Sequence, residues 1–114
     1  MSVRVINLEE GFPTRDQAYQ KLEAALAQAR KDGVAVLKLI HGYGSTGTGG
    51  VLRFALRGFL RQRKEKGDIA AFVNGESFSS FDDRSKTLLA KAPELILDRD
   101  LGRANKGITL VLLK

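Results

Sequence analysis

The run Val34-Ala-Val-Leu-Lys-Leu-Ile40 is apolar at every position but one, and it ends directly on ten residues rich in glycine, His41 to Gly50. A strand without polar alternation is buried on both faces, as in the centre of a parallel sheet. Such a strand needs an α/β chain around it, and the flanking segments have the right patterns. Val3 to Leu8, rich in β-branched residues, reads as a first strand. Pro13-Thr14 opens a helix, with Thr14 and Gln17 spaced as a capping box. Ala18, Leu22, Ala25, Leu26 and Ala29 give that helix one apolar face, and Gly33 closes it.

After the glycine-rich loop, a second helix is expected from about Gly50 to Lys66, ended by Gly67. Ile69 to Val73 and Ile108 to Leu113 read as a third and a fourth strand, the last entered through the turn residues Asn105-Lys106-Gly107. Between them, Ser80 and Asp83 resemble another capping box, so Phe81 to about Lys91 is expected to be helical until Pro93 stops it. Leu95-Ile96-Leu97 must then pack somewhere. The alternation of strand and helix argues for right-handed parallel crossovers and a two-layer or three-layer α/β sheet. No repeat or linker divides the chain, so residues 1–114 are expected to form a single domain.

Composition narrows the chemistry. The chain has no cysteine and one histidine, which excludes a disulfide framework or thiolate metal site and disfavours zinc. Its start lacks a signal-like apolar region, and no apolar run approaches membrane-spanning length; a cytoplasmic protein without membrane contact is expected. Lys and Arg number 19 against 13 Asp and Glu, a net charge of +6. That excess favours a polyanionic partner.

The loop His41-Gly42-Tyr43-Gly44-Ser45-Thr46-Gly47-Thr48-Gly49-Gly50 is suited to phosphate. Ligands of open parallel sheets gather at the carboxyl ends of strands, which is where this loop begins. The helix after it offers unpaired N–H groups and the positive end of a dipole. Glycines let the backbone approach phosphate oxygens, and Ser45, Thr46 and Thr48 can add hydroxyl donors. Gly44 to Gly49 has the glycine spacing of a P-loop, but Gly50 and Val51 stand where Lys and Ser/Thr are required. Gly42, Gly44 and Gly47 fit the dinucleotide fingerprint, yet two more glycines delay the helix and no second nucleotide-binding half follows.

In the second helix Leu52, Ala55, Leu56, Phe59 and Leu60 share the buried face. Arg53, Arg57, Arg61 and Lys64 form a basic stripe beside it, leading away from the loop as a surface that tracks a phosphate backbone would. Phe54 is expected to pack under the 75–101 segment, with exposure as a stacking platform the alternative.

Leu39-Ile-His-Gly-Tyr-Gly-Ser-Thr-Gly-Thr-Gly49 resembles the second signature of the Smr (small MutS-related) domain, roughly I-H-G-x-G-x-G. The amphipathic helix after it and the late strand from Gly107 resemble that family's pattern too. The resemblance implies a small two-layer βαβαβ-type mixed sheet akin to the C-terminal domain of bacterial initiation factor three, with residues 75–101 as a helical insertion before the last strand. It implies DNA or RNA binding and, as in several members, DNA-nicking or RNA endonuclease activity. His41 is then the candidate general acid or base, and the loop from Gly42 to Gly50 with Arg53, Arg57, Arg61 and Lys64 the phosphate-binding surface.

The family's first signature, approximately L-D-L-H-G, corresponds here to Ile6-Asn-Leu-Glu-Glu-Gly11, with Asn7 in place of Asp and Glu9 in place of His. Parallel pairing would bring Glu9 and Glu10 to the sheet edge near His41. There they can replace the lost groups, orient His41, or bind a divalent cation such as magnesium through oxygen ligands. Two other functions use the same residues. The loop can hold a nucleotide or phosphorylated metabolite beside an apolar pocket, or Phe54, Phe78 and Phe81 can form an exposed patch for a protein partner.

Overall fold

The computed structural model describes residues 2–11, 13–42 and 48–114, with backbone only over 48–51. Among these residues the chain runs β1 (Val3–Asn7), α1 (Arg15–Lys31), β2 (Val36–Ile40), α2 (Thr48–Glu65), β3 (Ile69–Asn74), α3 (Asp83–Lys91) and β4 (Ile108–Leu113). Short 3₁₀ turns at Gly75–Ser77 and Pro93–Leu97 flank α3.

The sheet is mixed, in the order β1-β2-β4-β3. β1 and β2 are parallel and joined by α1, as the sequence pattern leads one to expect, while β4 enters antiparallel between β2 and β3. All six β4 residues are buried. The two strands buried at almost every position, β2 and β4, are therefore the central ones, and β1 and β3, which expose residues, lie at the edges. The physical reason is that only a strand covered on both faces and both sides needs apolar residues at consecutive positions.

One face of the sheet is covered by α1 and α2. Leu22, Leu26 and Ala29 from α1 and Leu52, Leu56 and Leu60 from α2 meet Leu37, Leu39 and Val111 from the central strands. Thr14 caps α1 with both bonds of the capping box: its hydroxyl accepts from the Gln17 N–H, and the Gln17 side chain accepts from the Thr14 N–H. Gly33 ends the helix with a positive φ of 72°. α2 begins at Thr48, two residues before the expected start, so the last glycines of the loop are its first turn.

The 75–101 segment covers the other face. Phe78, Leu88, Ala92 and Leu95 pack on Val36, Val73, Leu110 and Leu112. Helix α3 is capped by Asp82, whose carboxylate accepts from the Ser85 N–H and hydroxyl, and not by Ser80 as its spacing suggested. Of the apolar trio that follows, Leu95 enters this core while Ile96 and Leu97 are exposed. Lys38, the one charge in the β2 run, lies on this face. Its ammonium donates to both Asp98 oxygens (2.9 and 3.1 Å) and to Asp100 Oδ2 (2.6 Å). Burial alone would push the Lys38 pKa down, but these hydrogen bonds and charges outweigh it and hold the pKa above its ordinary value. The pairing satisfies the charge and ties the 98–105 loop to the central strand.

Two expectations for aromatic residues are corrected. Phe54 does not pack under the 75–101 segment: α2 and that segment cover opposite sheet faces, and Phe54 is 60% exposed. Phe78 is buried in the second core, so Phe54, Phe78 and Phe81 form no common patch. No described helix is long and apolar enough to cross a membrane.

Candidate functional site

The carboxyl end of β2 delivers His41 to the sheet edge. Its backbone N–H donates to Gly107 O at 2.9 Å, and the Gly42 N–H shares that carbonyl at 3.1 Å. Side chains alternate along β2, so His41 follows Leu37 and Leu39 onto the face covered by α1 and α2. Thr109 of β4 lies on the same face, between Ile108 and Leu110 of the other core.

The imidazole is fully buried and both its nitrogens are engaged. Nδ1 lies 2.7 Å from Gly42 O, a carbonyl that can only accept, so Nδ1 carries the proton. Nε2, 2.9 Å from Thr109 Oγ1, then accepts from the threonine hydroxyl. Burial pushes the His41 pKa down. The Gly42 carbonyl opposes that shift, and the charges of Arg57 and Arg53 reinforce it. The lowered pKa favours a neutral imidazole, and the Gly42 carbonyl then fixes its one proton on Nδ1.

Around this histidine lies a polar cluster that the chain order does not announce. Asn74, the last residue of β3, is the register partner of Thr109 and faces the same way. Two residues on, Glu76 accepts from Arg57 Nη2 at 2.6 Å. Burial raises the Glu76 pKa, but the Arg57 hydrogen bond and charge prevail and hold the carboxyl below its usual range. Asn74 Oδ1 and the Nε atoms of Arg53 and Arg57 are buried without a hydrogen-bonding partner among the described residues. Such groups cost free energy unless something else satisfies them.

The expected basic stripe divides by environment. Arg61 and Lys64 are exposed, whereas Arg53 and Arg57 are half-buried, with guanidinium carbons 4.5 and 5.6 Å from the Phe54 ring centre. The first turn of α2 carries no acidic residue, so nothing there offsets the positive end of its dipole. The loop candidates Tyr43, Gly44, Ser45, Thr46 and Gly47 lie outside the described residues, and Thr48, Gly49 and Gly50 are placed as helical backbone.

Glu9 and Glu10 follow β1, and the Leu8 N–H donates to Ile40 O at 2.7 Å, so β1 and β2 do end together. Asn7 Oδ1 accepts from the backbone N–H groups of Glu9 and Glu10, which fixes that turn. Glu9 lines a cleft of about 190 Å³ together with Lys38, Ile40, Gly42, Asp100 and Asn105. Lys38 and Ile40 belong to the α3 side of the sheet, opposite the His41 ring. The structure thus brings Glu9 to Gly42, but neither carboxylate is a partner of the imidazole. Among the described residues no group of three or more His, Asp or Glu is arranged to hold a metal ion.

Asn74, Glu76 and Thr109 are the site residues that sequence reading missed. The available signal was Thr109, a lone polar residue in an otherwise apolar strand. Its meeting with His41 depends on strand register.

The state of His41 predicts a pH dependence. A histidine with a folded pKa below its unfolded value disfavours folding wherever the unfolded chain binds the extra proton. Stability is therefore expected to fall as pH drops below about 6.5, with a limiting slope of about 1.4 kcal/mol per unit for one proton. The carboxylates held low here, Asp32, Glu76 and Asp100, act only below the ordinary carboxylate range. Urea unfolding of wild type and His41→Gln between pH 5 and 8 checks this. The variant should lose the slope and, with Thr109 and Gly42 left imperfectly paired, about 1–3 kcal/mol of stability at pH 8. An equal slope in both proteins would contradict the assignment.

Comparison with known proteins adds family evidence. The family model of the Smr domain matches residues 10–77. The fold is similar to the crystal structure of the Smr domain of Thermus thermophilus MutS2, with a TM-score of 0.61 and 26% sequence identity. That similarity covers 97% of this chain and 98% of the other. Comparison with curated proteins gives no match.

Proposed function

The chain belongs to the Smr domain family, and on that premise we propose that it binds the sugar-phosphate backbone of DNA or RNA at the β2–α2 edge. The observation that carries this reading is the pair of buried donors, Arg53 Nε and Arg57 Nε, on the amino-terminal half of α2, without a hydrogen-bonding partner among the described residues. A phosphate there would meet two guanidinium groups, the helix dipole and the backbone N–H groups of the loop. Arg61 and Lys64 extend the positive surface along the helix for neighbouring phosphates. Gly44 and Gly47 would let the loop backbone approach the anion, with Ser45, Thr46 and Thr48 as hydroxyl donors.

In this reading His41 is a positioning residue. Its bonds to Gly42 and Thr109 fix where the loop leaves the sheet, and a neutral, buried imidazole with both nitrogens occupied is poorly placed to exchange protons with a phosphodiester. Any strand cleavage is assigned to groups other than His41; Glu9 is the candidate, a carboxylate that lines the cleft beside Gly42 together with Asp100.

The test is a binding titration of wild-type protein against duplex DNA, single strands and structured RNA over a range of salt. Log affinity should fall linearly with log salt, by about 0.7–0.9 per phosphate contact. No binding to any of the three at low salt would end the proposal. The same preparations, incubated with supercoiled plasmid with and without magnesium, test cleavage. Nicking lost in Glu9→Gln would support the carboxylate, and nicking lost in a folded His41→Gln that still binds nucleic acid as tightly as wild type would restore the histidine to catalysis.

A further inference from the structure

Phe54 is the exposed aromatic side chain on the basic helix, and its surroundings are unlike those of a stray surface residue. Phe54, Gly58, Arg61 and Gln62 are spaced i, i+4, i+7 and i+8, so they share one outward face of α2. Gly58 is the residue that would otherwise cover the next turn beside the ring, and a Cβ built on it meets nothing within 4 Å. A glycine in the middle of a helix costs about 1 kcal/mol relative to alanine. Here that cost leaves open space next to a phenyl ring.

The space is part of an open cleft of about 360 Å³ lined by Tyr19, Phe54, Ala55, Gly58, Phe59 and Gln62. Its floor is rigid: Tyr19 stacks on Phe59 with ring centres 5.0 Å apart and donates its hydroxyl to Ala55 O at 3.1 Å. Arg53 and Arg57 stand over the Phe54 ring and Arg61 is exposed one turn beyond, so an aromatic ring, an open helix surface of mixed polarity and three guanidinium groups lie side by side.

An exposed phenyl ring with open space on one side and guanidinium groups close by is complementary to a flat aromatic ligand that carries negative charge beside it. We propose that this cleft takes one unpaired nucleobase, stacked on Phe54 over Gly58, and thereby makes the domain prefer single-stranded nucleic acid. In a duplex the faces of each base are covered by its neighbours, so a side chain on a rigid helix cannot reach them. In a single strand they are free, and stacking on an aromatic side chain is tolerant of sequence. Arg53, Arg57 and Arg61 would hold the phosphates on either side, while Gln62 presents an amide to the base edge. The inference rests on the backbone-binding reading above and adds the strand state of the ligand.

The test uses fluorescein-labelled single-stranded DNA, the same sequence as a blunt duplex, and a single strand of abasic sites with equal charge. Wild type should bind the single strand most tightly. Phe54→Leu keeps apolar bulk without an aromatic ring; it should weaken single-strand binding roughly tenfold, the size of one base stack, with the salt slope kept. Wild type should bind the abasic strand about as weakly. The chain contains no tryptophan, so Phe54→Trp supplies a sole indole that should keep single-strand affinity and lose fluorescence as a base stacks on it.

Unchanged single-strand affinity in Phe54→Leu, or an indole unquenched while strand is bound, would overturn the stacking site and leave backbone binding standing. Equal wild-type affinity for abasic and normal strands would do the same. Failure of wild type to bind any of the three would overturn both.

Discussion

Alanine at Arg53, Arg57 and Arg61 together is expected to weaken nucleic-acid binding about a hundredfold near 0.1 M salt and to lower the log–log salt slope by about 2–3. The size follows from the counterions that three phosphate contacts release, each contributing about 0.7–0.9 to the slope. The fold should survive, because the core of α2 is Leu52, Leu56 and Leu60, which the substitutions leave alone. Arg57 calls for a control, since it also pairs with Glu76. That carboxylate competes with phosphate for the same guanidinium. Glu76→Gln should therefore bind more tightly than wild type, the opposite direction to the triple variant. An unchanged slope in the triple variant would reduce the stripe to a solubilising surface.

Gly75→Ala is expected to be the most destabilising single change, by about 4 kcal/mol or more in urea unfolding, a large fraction of the roughly 5–15 kcal/mol that holds a domain folded. Gly75 follows β3 directly, where the chain leaves the sheet edge and crosses to the α3 side. A Cβ there would sit 1.8 Å from the Asn105 carbonyl oxygen, 2.6 Å from Ile108 Cγ1 and 2.8 Å from the Ile108 carbonyl oxygen. Two of these are backbone atoms, one in the turn that leads into β4 and one at the start of that strand, so neither can step aside as a flexible side chain would. The residues on either side, Asn74 and Glu76, both belong to the candidate site. A variant that stays folded at low temperature should also bind nucleic acid weakly, because relief of the clash moves both. Wild-type stability in Gly75→Ala would show that the crossing can shift at little cost.

The sequence carried most of the fold because the elements are locally consistent. The capping box at Thr14, the stop at Gly33 and the apolar faces of α1 and α2 each depend on residues within one or two turns. The almost unbroken apolar run at Val34–Ile40 marked β2 as a strand with cover on both faces. At α3 the spacing pointed to Ser80 as the cap, and the structure uses Asp82, two residues on, whose carboxylate accepts from Ser85, a residue that also reaches Ser77 O. Phe54 misled for a different reason. A phenyl side chain favours burial in general, and its exposure follows from which face of the sheet the 75–101 segment covers.

What the sequence determined alone is therefore the set of elements, the central place of β2 and a basic helix behind a glycine-rich loop. The antiparallel entry of β4 between β2 and β3, and the burial of His41 against Thr109, were decided by the tertiary structure. Residues 41 and 109 meet through a strand register, and 53, 57, 74 and 76 through the packing of α2 over that sheet edge. Local propensity acts over a few residues. Register and face are set by which long-range arrangement buries both apolar strands at once, and that is a property of the whole chain.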